Sequence, residues 1–556
     1  MQGRTINGLV RESIINHWDH PAFSDHNGQT LCFCETAEKI RQLHYLFKQH
    51  KIEKGDKIAL LGPNCANWAV VYLSAISYGA VIVPILPDFH AEDIHHIINH
   101  SDSVALFVSE EISETIEEEK IRKVRAIFLL DSGKRDEYLG TDYNYLFDPK
   151  LLKGHSRNAG NPVTREEFNF PGNAAGNDLA AIVYTSGTTG FSKGVMLSHD
   201  SLAANVVYAR ERLQLKPGHT VLSILPLAHA FGCSFEFLYP FTLGCHVTFL
   251  GKIPSPKIII NAFRDIRPSI VFSVPLIIEK IHKKIVNSFT GKKTVKFLAG
   301  IPVFDSLINI LLKKKLHRIF GGRLIELVIG GAALNPAVEQ FLHKIGFPFA
   351  VGYGMTECGP LISYSRFYEH RLGSAGQTIR FLEAKIDSED PYNKIGEIMV
   401  KGVNVMKGYY KNDEATGSVL DPEGWLRTGD LGVLDAENFI YIKGRSKNVI
   451  IGPSGQNIYP EEIENKLNAL PFVQESLVSG ESGKIVAFVY PDFELADEKK
   501  LNENDLQKIM EENRQAVNAM LPAYSPVSKI KIAPEGFMKT PTKKIKRFLY
   551  ESYMKN

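Results

Sequence analysis

Residues 184–195 read YTSGTTGFSKGV, with three glycines, three threonines and two serines behind the apolar run 180–183. A strand ending in such a turn presents many backbone N–H groups and little bulk. Gly187, Gly190 and Gly194 admit positive φ and close approach of backbone to a ligand, so successive N–H groups can converge on phosphate oxygens. Ser186, Thr188, Thr189 and Ser192 add hydroxyls, one of which can face Mg²⁺, and Lys193 adds a positive charge. Stretches rich in glycine and serine are more often surface loops. Here the threonines, the lysine and the buried-looking strand favour a polyphosphate cradle. The G-x-x-x-x-G-K-[ST] loop is excluded: counting from Gly187, its Gly-Lys-Ser/Thr places hold Ser192, Lys193 and Gly194.

Other stretches carry groups suited to the same ligand. His229 lies in PLAHAFG (226–232) at the end of an expected strand, where a histidine can equally be a satisfied core residue. Gly330, Gly331, Ala332 and Ala333 follow another strand, and small residues there leave room for a ligand or for close helix packing. In GYGMTE (352–357), Gly352, Tyr353, Gly354, Met355, Thr356 and Glu357 share one expected turn. Tyr353 can stack on a purine and Glu357 can hold Mg²⁺ through oxygen. Asp430, in GWLRTGDLG (424–432), can accept both hydroxyls of a ribose, although a lone Asp in a turn usually bonds its own backbone. The basic run KTPTKKIKR (539–547) would ordinarily be a solvated tail.

Taken together and in this order, these strings resemble the signatures of the acyl-adenylate-forming superfamily, over nearly the whole chain. The resemblance implies that Thr185, Ser186, Gly187, Thr188, Thr189, Gly190 and Lys193 cradle the phosphates of ATP. Gly331, Ala332 and residues 352–356 would line the nucleotide, with Mg²⁺ between Thr188 and Glu357. It implies further that Asp430 holds the ribose, that Arg445 contacts ribose or phosphate, and that His229 sits beside the acyl group and the α-phosphate. The catalytic lysine of the family falls on Lys544 when Ile545 takes the apolar place after it; Lys543 then replaces the usual glycine and is the weaker candidate. Lys447 would be the hinge, and the face bearing Gly455 and Asn457 would turn toward a pantetheine tunnel. Val274-Pro275, Phe320-Gly321-Gly322-Arg323, residues 330–333 and Ile458-Tyr459-Pro460-Glu461-Glu462 look most like bacterial long-chain fatty acyl-CoA synthetases.

These groups must be positioned by an α/β framework. Residues 36–50, 67–78 and 93–98 have the helical period, and 57–61, 80–84 and 104–108 read as strands, which argues a parallel sheet covered by helices. Helix, strand and helix are expected again over 256–266, 270–274 and 275–285. Beyond Arg380 short extended pieces suggest a β-subdomain. The expected organisation is a large domain of parallel-rich sheets with helices over 1–446, and a small mobile α+β domain over 447–556. With 556 residues, one core is excluded.

Lys plus Arg number 64 and Asp plus Glu 62, so no global charge points to nucleic acid. Six cysteines without metal-ligand spacing are expected as free thiols in a reducing cytosol, Cys32 and Cys34 simply alternating across a strand. No secretory leader is read at the start, and the apolar run 66–86 is interrupted by polar residues, Gly79 and Pro84, so a soluble cytoplasmic protein is expected. The amphipathic segment 304–320 is read as a core-facing helix; peripheral contact with the inner face of a membrane is the minority reading.

The expected reaction joins a fatty acid, ATP and CoA into acyl-CoA, AMP and pyrophosphate. An acyl-carrier-protein ligase would use the same adenylation step and deliver to a protein-bound thiol. A nucleotide-binding module without catalysis is the rival of another class, against which Lys544, Glu357 and Asp430 argue.

Overall fold

Two large sheets carry the chain through its first 380 residues. The computed structural model describes residues 5–130, 144–145, 163–170, 172, 174–185, 193–251, 255–290, 302–452, 456–481, 484–539 and 545–550. In the first sheet, Pro21–Asp25, His246–Phe249, Thr220–Ser223, Ile270–Ser273, Glu326–Ile329 and Phe349–Gly354 run parallel, in that spatial order. Antiparallel strands close it at both edges, Thr30–Cys32 at one and Leu361–Tyr364 with Gln377–Thr378 at the other. The second sheet sets Ser103–Val108, Lys57–Leu61, Val81–Ile85 and Leu179–Thr185 parallel, and Lys193–Ser198 returns antiparallel to the last of these. Strands such as Val81–Ile85 are buried along their whole length, as central parallel strands are when helices cover both faces.

The apolar run 66–86 is a core helix followed by a core strand. Helix Ala66–Tyr78 is buried on nearly every side because it touches strands of both sheets and helix Phe33–Gln49. Gly79, at φ 91°, stops it by taking the left-handed conformation a side chain would resist. Among the described residues no helix is long and apolar enough to cross a membrane.

The β-subdomain is a third, antiparallel sheet ordered Leu382–Asp387, Gly396–Gly402, Leu426–Leu434, Ile440–Arg445. After it comes the smaller C-terminal α+β domain: the ribbon Ile450–Ile451 with Asn457–Ile458, the sheet Val473–Glu481, Lys484–Pro491 and Val527–Ile532, and helices Pro460–Leu467 and Glu503–Asn518. Its hydrophobic clusters share no residue with those of the large domain. Lys283, on helix Pro275–Thr290, pairs with Asp492 of the small domain, and Lys443 lies 3.6 Å from Glu462.

Three expectations are corrected. Cys32 and Cys34 are joined in a disulfide, whereas the four other cysteines are free. They do not alternate along a strand: Cys32 is the extended residue that caps helix Phe33–Gln49 and Cys34 lies in its first turn, which brings the two sulfurs to one side. Asp430 is not in a turn but inside strand Leu426–Leu434, paired with Arg445 of the next strand and set in the irregularity where residues 428–430 leave register with Gly396–Gly402. Residues 352–354 likewise prolong strand Phe349–Gly354, so the expected single turn begins only after them.

Phe23 marks the part of the core on which the first sheet rests. Fully buried, it stacks on Phe241 at 4.9 Å between ring centres and meets Phe237 and Phe249 at 5.8 and 5.6 Å. Phe23→Ala is expected to remove about 3–5 kcal/mol, seen as a lowered thermal midpoint by differential scanning calorimetry.

Candidate nucleotide-binding site

Strands Leu179–Thr185 and Lys193–Ser198 pair antiparallel up to Thr185 opposite Lys193, so the glycine-threonine loop is held at both its ends. Ser186, Gly187, Thr188, Thr189 and Gly190 lie outside the described residues, as do Gly455, Lys543 and Lys544. Gly194, just past the loop, is glycine for packing: a Cβ there would come 2.9 Å from Ile182 and 3.0 Å from the Tyr184 ring. Lys193 projects its ammonium over the ring of Tyr409, 4.7 Å from the centroid.

At the carboxyl ends of the first sheet, Gly330, Gly331 and Ala332 leave strand Glu326–Ile329. Gly331 has φ 89°, and both it and Ala332 are exposed. A Cβ on Gly330 would stand 3.2 Å from the ring of Phe231, so that ring lies directly across the opening. Phe231 meets Phe235 and Phe272 edge-on, and the latter two stack at 5.9 Å. His229 caps the short helix Ala230–Gly232, its Nδ1 accepting from Phe231 N at 3.3 Å.

The turn that carries His229 is anchored by a residue the sequence reading passed over. Glu236, in the π-helical turn Cys233–Leu238, is fully buried, and its Oε2 accepts from Ser223 Oγ and from the backbone N–H groups of Ile224 and Leu225 at 2.9–3.0 Å. Burial pushes its carboxyl up to about 8, against the pull of those three donors.

Asp430 is the electrostatic centre of the site. Its side chain is 6% exposed; Oδ1 takes Arg445 Nε at 2.7 Å and Oδ2 accepts from the Tyr353 hydroxyl at 2.7 Å. Thr428 Oγ1 donates to Ile398 O and accepts from Asp430 N, fixing the backbone beneath. Tyr353 is itself buried, and burial together with the Asp430 carboxylate pushes its hydroxyl well above the usual range. In this structure its hydroxyl supports Asp430. Gly354 is needed for packing, since a Cβ would lie 2.1 Å from Pro360 O. Gly352 and Met355 are half-buried, while Thr356 is buried. Arg445 stands at the end of the third sheet, Lys447 follows in the turn Ser446–Asn448, and Asn457 is exposed on the small domain.

Glu357 is half-buried, with Oε1 accepting from the Tyr409 hydroxyl at 2.9 Å. Among the described residues its other oxygen has no hydrogen-bond donor, which leaves it for a cation. Also among the described residues, no three acidic, histidine or cysteine side chains gather into a metal site. The donor set therefore fits Mg²⁺ that takes most of its ligands from phosphate and water. Tyr409 was missed by the sequence reading; the signal available was the glycine before two aromatics, Gly408-Tyr409-Tyr410.

Comparison with known proteins follows the same lines. A family described as AMP-binding enzyme matches residues 10–410. The long-chain-fatty-acid–CoA ligase of Escherichia coli is 29% identical, over 86% of this chain and 84% of its own. The peroxisomal long chain acyl-CoA synthetase 7 of Arabidopsis thaliana is 28% identical, over 91% and 77%. Among solved structures, the anthranilate CoA ligase AuaEII in complex with anthranoyl-AMP superposes with a TM-score of 0.79 at 20% identity, covering 99% of this chain and 97% of that one. ATP-bound MatB from Rhodopseudomonas palustris gives 0.76 at 23%, covering 100% and 99%. These two structures speak for the fold.

The raised carboxyl of Glu236 gives a pH signature. Between its ordinary 4.5 and about 8 the folded chain keeps a proton that the unfolded chain releases. That contribution to stability is whole below the lower value and is lost as pH rises through the upper one. The thermal midpoint of the parent is expected to fall more steeply between about pH 5 and 8 than that of Glu236→Gln, as followed by scanning fluorimetry.

Proposed function

The chain belongs to the AMP-binding enzyme family, and from that premise we propose that it activates a long-chain fatty acid with ATP and transfers the acyl group to CoA. The observation that carries this reading is the Tyr353–Asp430–Arg445 cluster standing beside Glu357 and the ends of the glycine-threonine loop. Relatives named long-chain-fatty-acid–CoA ligases support the substrate class.

A carboxylate is a poor electrophile, since its charge repels nucleophiles and its leaving group would be oxide. In the first step its oxygen attacks the α-phosphorus of ATP, the bond to the β-phosphate bridge breaks, and pyrophosphate leaves with the electron pair. In the second, the sulfur of CoA attacks the acyl carbon, AMP departs, and the thiol proton passes to solvent. Two anions must meet in the first step. Lys193, the N–H groups of residues 186–190 and Lys544 are assigned to offset that repulsion where charge develops. Glu357 and Thr188 are assigned to hold Mg²⁺, which would supply further charge neutralisation there. His229 is assigned beside the acyl group, Asp430 to the ribose, and Gly331, Ala332 and residues 352–356 to the nucleotide. Residues 1–446 and 447–556 are read as two bodies, and a turn at Lys447 would exchange the Lys544 loop for the face of Gly455 and Asn457 between steps. A protein-bound phosphopantetheine is the alternative acceptor.

A second observation bears on where the acid comes from. Helix Pro302–Ile319 exposes Leu307, Ile310 and Leu311 to 52%, 49% and 56%, while Leu312 and Leu316 face the core. Lys314 and Arg318 are exposed beside them, with Lys313 and Lys315 half-buried. Apolar side chains next to cations suit the headgroup region of an anionic bilayer, where fatty acids partition.

The test is pyrophosphate release over a series of saturated fatty acids, with thioester formation measured on CoA and on acyl carrier protein separately. Release is expected to need the acid and to rise toward long chains. Lys544→Ala is expected to slow it by about 10²–10³-fold, while transfer from a supplied acyl-adenylate to CoA proceeds. Release without dependence on the acid would overturn the reading. In flotation with phosphatidylglycerol vesicles, the triple change Leu307→Ser, Ile310→Ser, Leu311→Ser is expected to lower binding about 10-fold or more, with activity on a short soluble acid kept.

A further inference from the structure

The stretch from Asn404 to Tyr410 is a strap between the two halves of the site. Asn404 Nδ2 donates to Cys358 O and Leu361 O at 2.9 and 2.8 Å, and Met406 N donates to Glu357 O at 2.8 Å, so the strap holds the backbone of the GYGMTE motif. From the next residue on it is bonded to the return strand of the phosphate loop. Lys407 N donates to Met196 O, Met196 N to Gly408 O, and Tyr410 N to Gly194 O, all within 2.8–3.0 Å. Tyr409 sits where these two attachments meet.

Its side chain is 6% exposed and does two things at once. The hydroxyl donates to Glu357 Oε1 at 2.9 Å, and the ring face receives the Lys193 ammonium at 4.7 Å. Its backbone N–H donates to Thr416 Oγ1 at 2.9 Å. At Gly408 a Cβ would come 2.8 Å from Thr416 Cγ2, so the chain on either side of the ring is pinned. Among the described residues Lys193 and Glu357 do not form an ion pair. The ring gives its face to an ammonium and its hydroxyl end to a carboxylate, so each charge is held at its own side of the phenol. Without it, the two long, partly solvated side chains would gain by closing on each other, and each would neutralise the charge the other must offer to a metal–polyphosphate complex.

We propose that Tyr409 is a positioning residue that keeps Lys193 and Glu357 apart and orients the Glu357 carboxylate so that one oxygen faces the metal ion of the bound nucleotide. The inference rests on the assignment of Glu357 as a metal ligand. Tyr409 acts through the two residues it holds. The phenol ties one carboxylate oxygen and leaves the other for the cation, as outer partners of metal ligands commonly do.

The experiment is calorimetric binding of an ATP analogue with a methylene bridge between its α- and β-phosphates, titrated at Mg²⁺ concentrations from zero to 20-fold above the parent's midpoint. Each variant is read at a temperature where its thermal transition shows it folded. Tyr409→Phe keeps the ring and loses the hydroxyl. It is expected to raise the Mg²⁺ needed for half-maximal enhancement of binding about 10-fold, leaving metal-free binding and the KM for fatty acid unchanged. Tyr409→Leu loses both contacts and is expected to raise that midpoint further and to weaken metal-free binding as well, because Lys193 is then drawn to Glu357. Glu357→Gln supplies the control. If it shifts the Mg²⁺ midpoint and neither Tyr409 variant does, the positioning role is overturned and the metal assignment stands. If none of the three shifts it, both fall.

Discussion

A carboxylate held out of water must be given partners, and the partners of Asp430 set the layout of this molecule. Burying an anion costs several kcal/mol unless opposite charge and hydrogen bonds replace its hydration, roughly as much as a small domain's whole stability margin. Arg445 and the Tyr353 hydroxyl provide those replacements. One comes from the neighbouring strand of the antiparallel sheet, the other from the last parallel strand of the first large sheet. One side chain thus ties together two sheets that are also joined by backbone bonds between residues 375–378 and 438–440. Arg445 also stands two residues before Lys447, so the start of the C-terminal domain is referred to the same anchor.

The second large sheet enters the site from the other side. It brings the ends of the glycine-threonine loop, and the strap of residues 404–410 ties its return strand to the backbone around Glu357. A site shared between sheets in this way is a crevice at strand ends, where α/β proteins commonly hold ligands. The aromatic group formed by Phe231, Phe235 and Phe272 lies on the same rim, across Gly330. That rim is where the first sheet loses its side chains to glycine.

Much of this was legible in the residues because period and punctuation agree. Apolar runs such as 81–85 and helices stopped by glycine, as at Gly79, declare themselves locally. Strand Leu426–Leu434 did not. Thr428, Gly429, Asp430 and Gly432 have the composition of a turn, and residues 428–430 do leave register with one neighbour; the pairing of the residues around them makes the stretch a strand. Gly432 is there because a Cβ would meet Tyr441 O at 2.5 Å, a constraint set by a partner strand and invisible in the local pattern. Tyr409 was hidden for a similar reason: its partners lie 52 and 216 positions away, and no window of sequence contains them. Cys34 was misread because the strand ends at Cys32 and the helix begins at the very next residue.

The separation of hydrophobic clusters between the large and the small domain has a thermodynamic corollary. Among the described residues the links noted across that boundary are polar: Lys283 with Asp492, and Lys443 with Glu462. Breaking such links exposes charged groups that water receives readily and uncovers little hydrocarbon. Heat-capacity changes in proteins follow exposed apolar area. Separating these links should therefore carry little change in heat capacity, so that its enthalpy varies little with temperature, unlike the melting of either core.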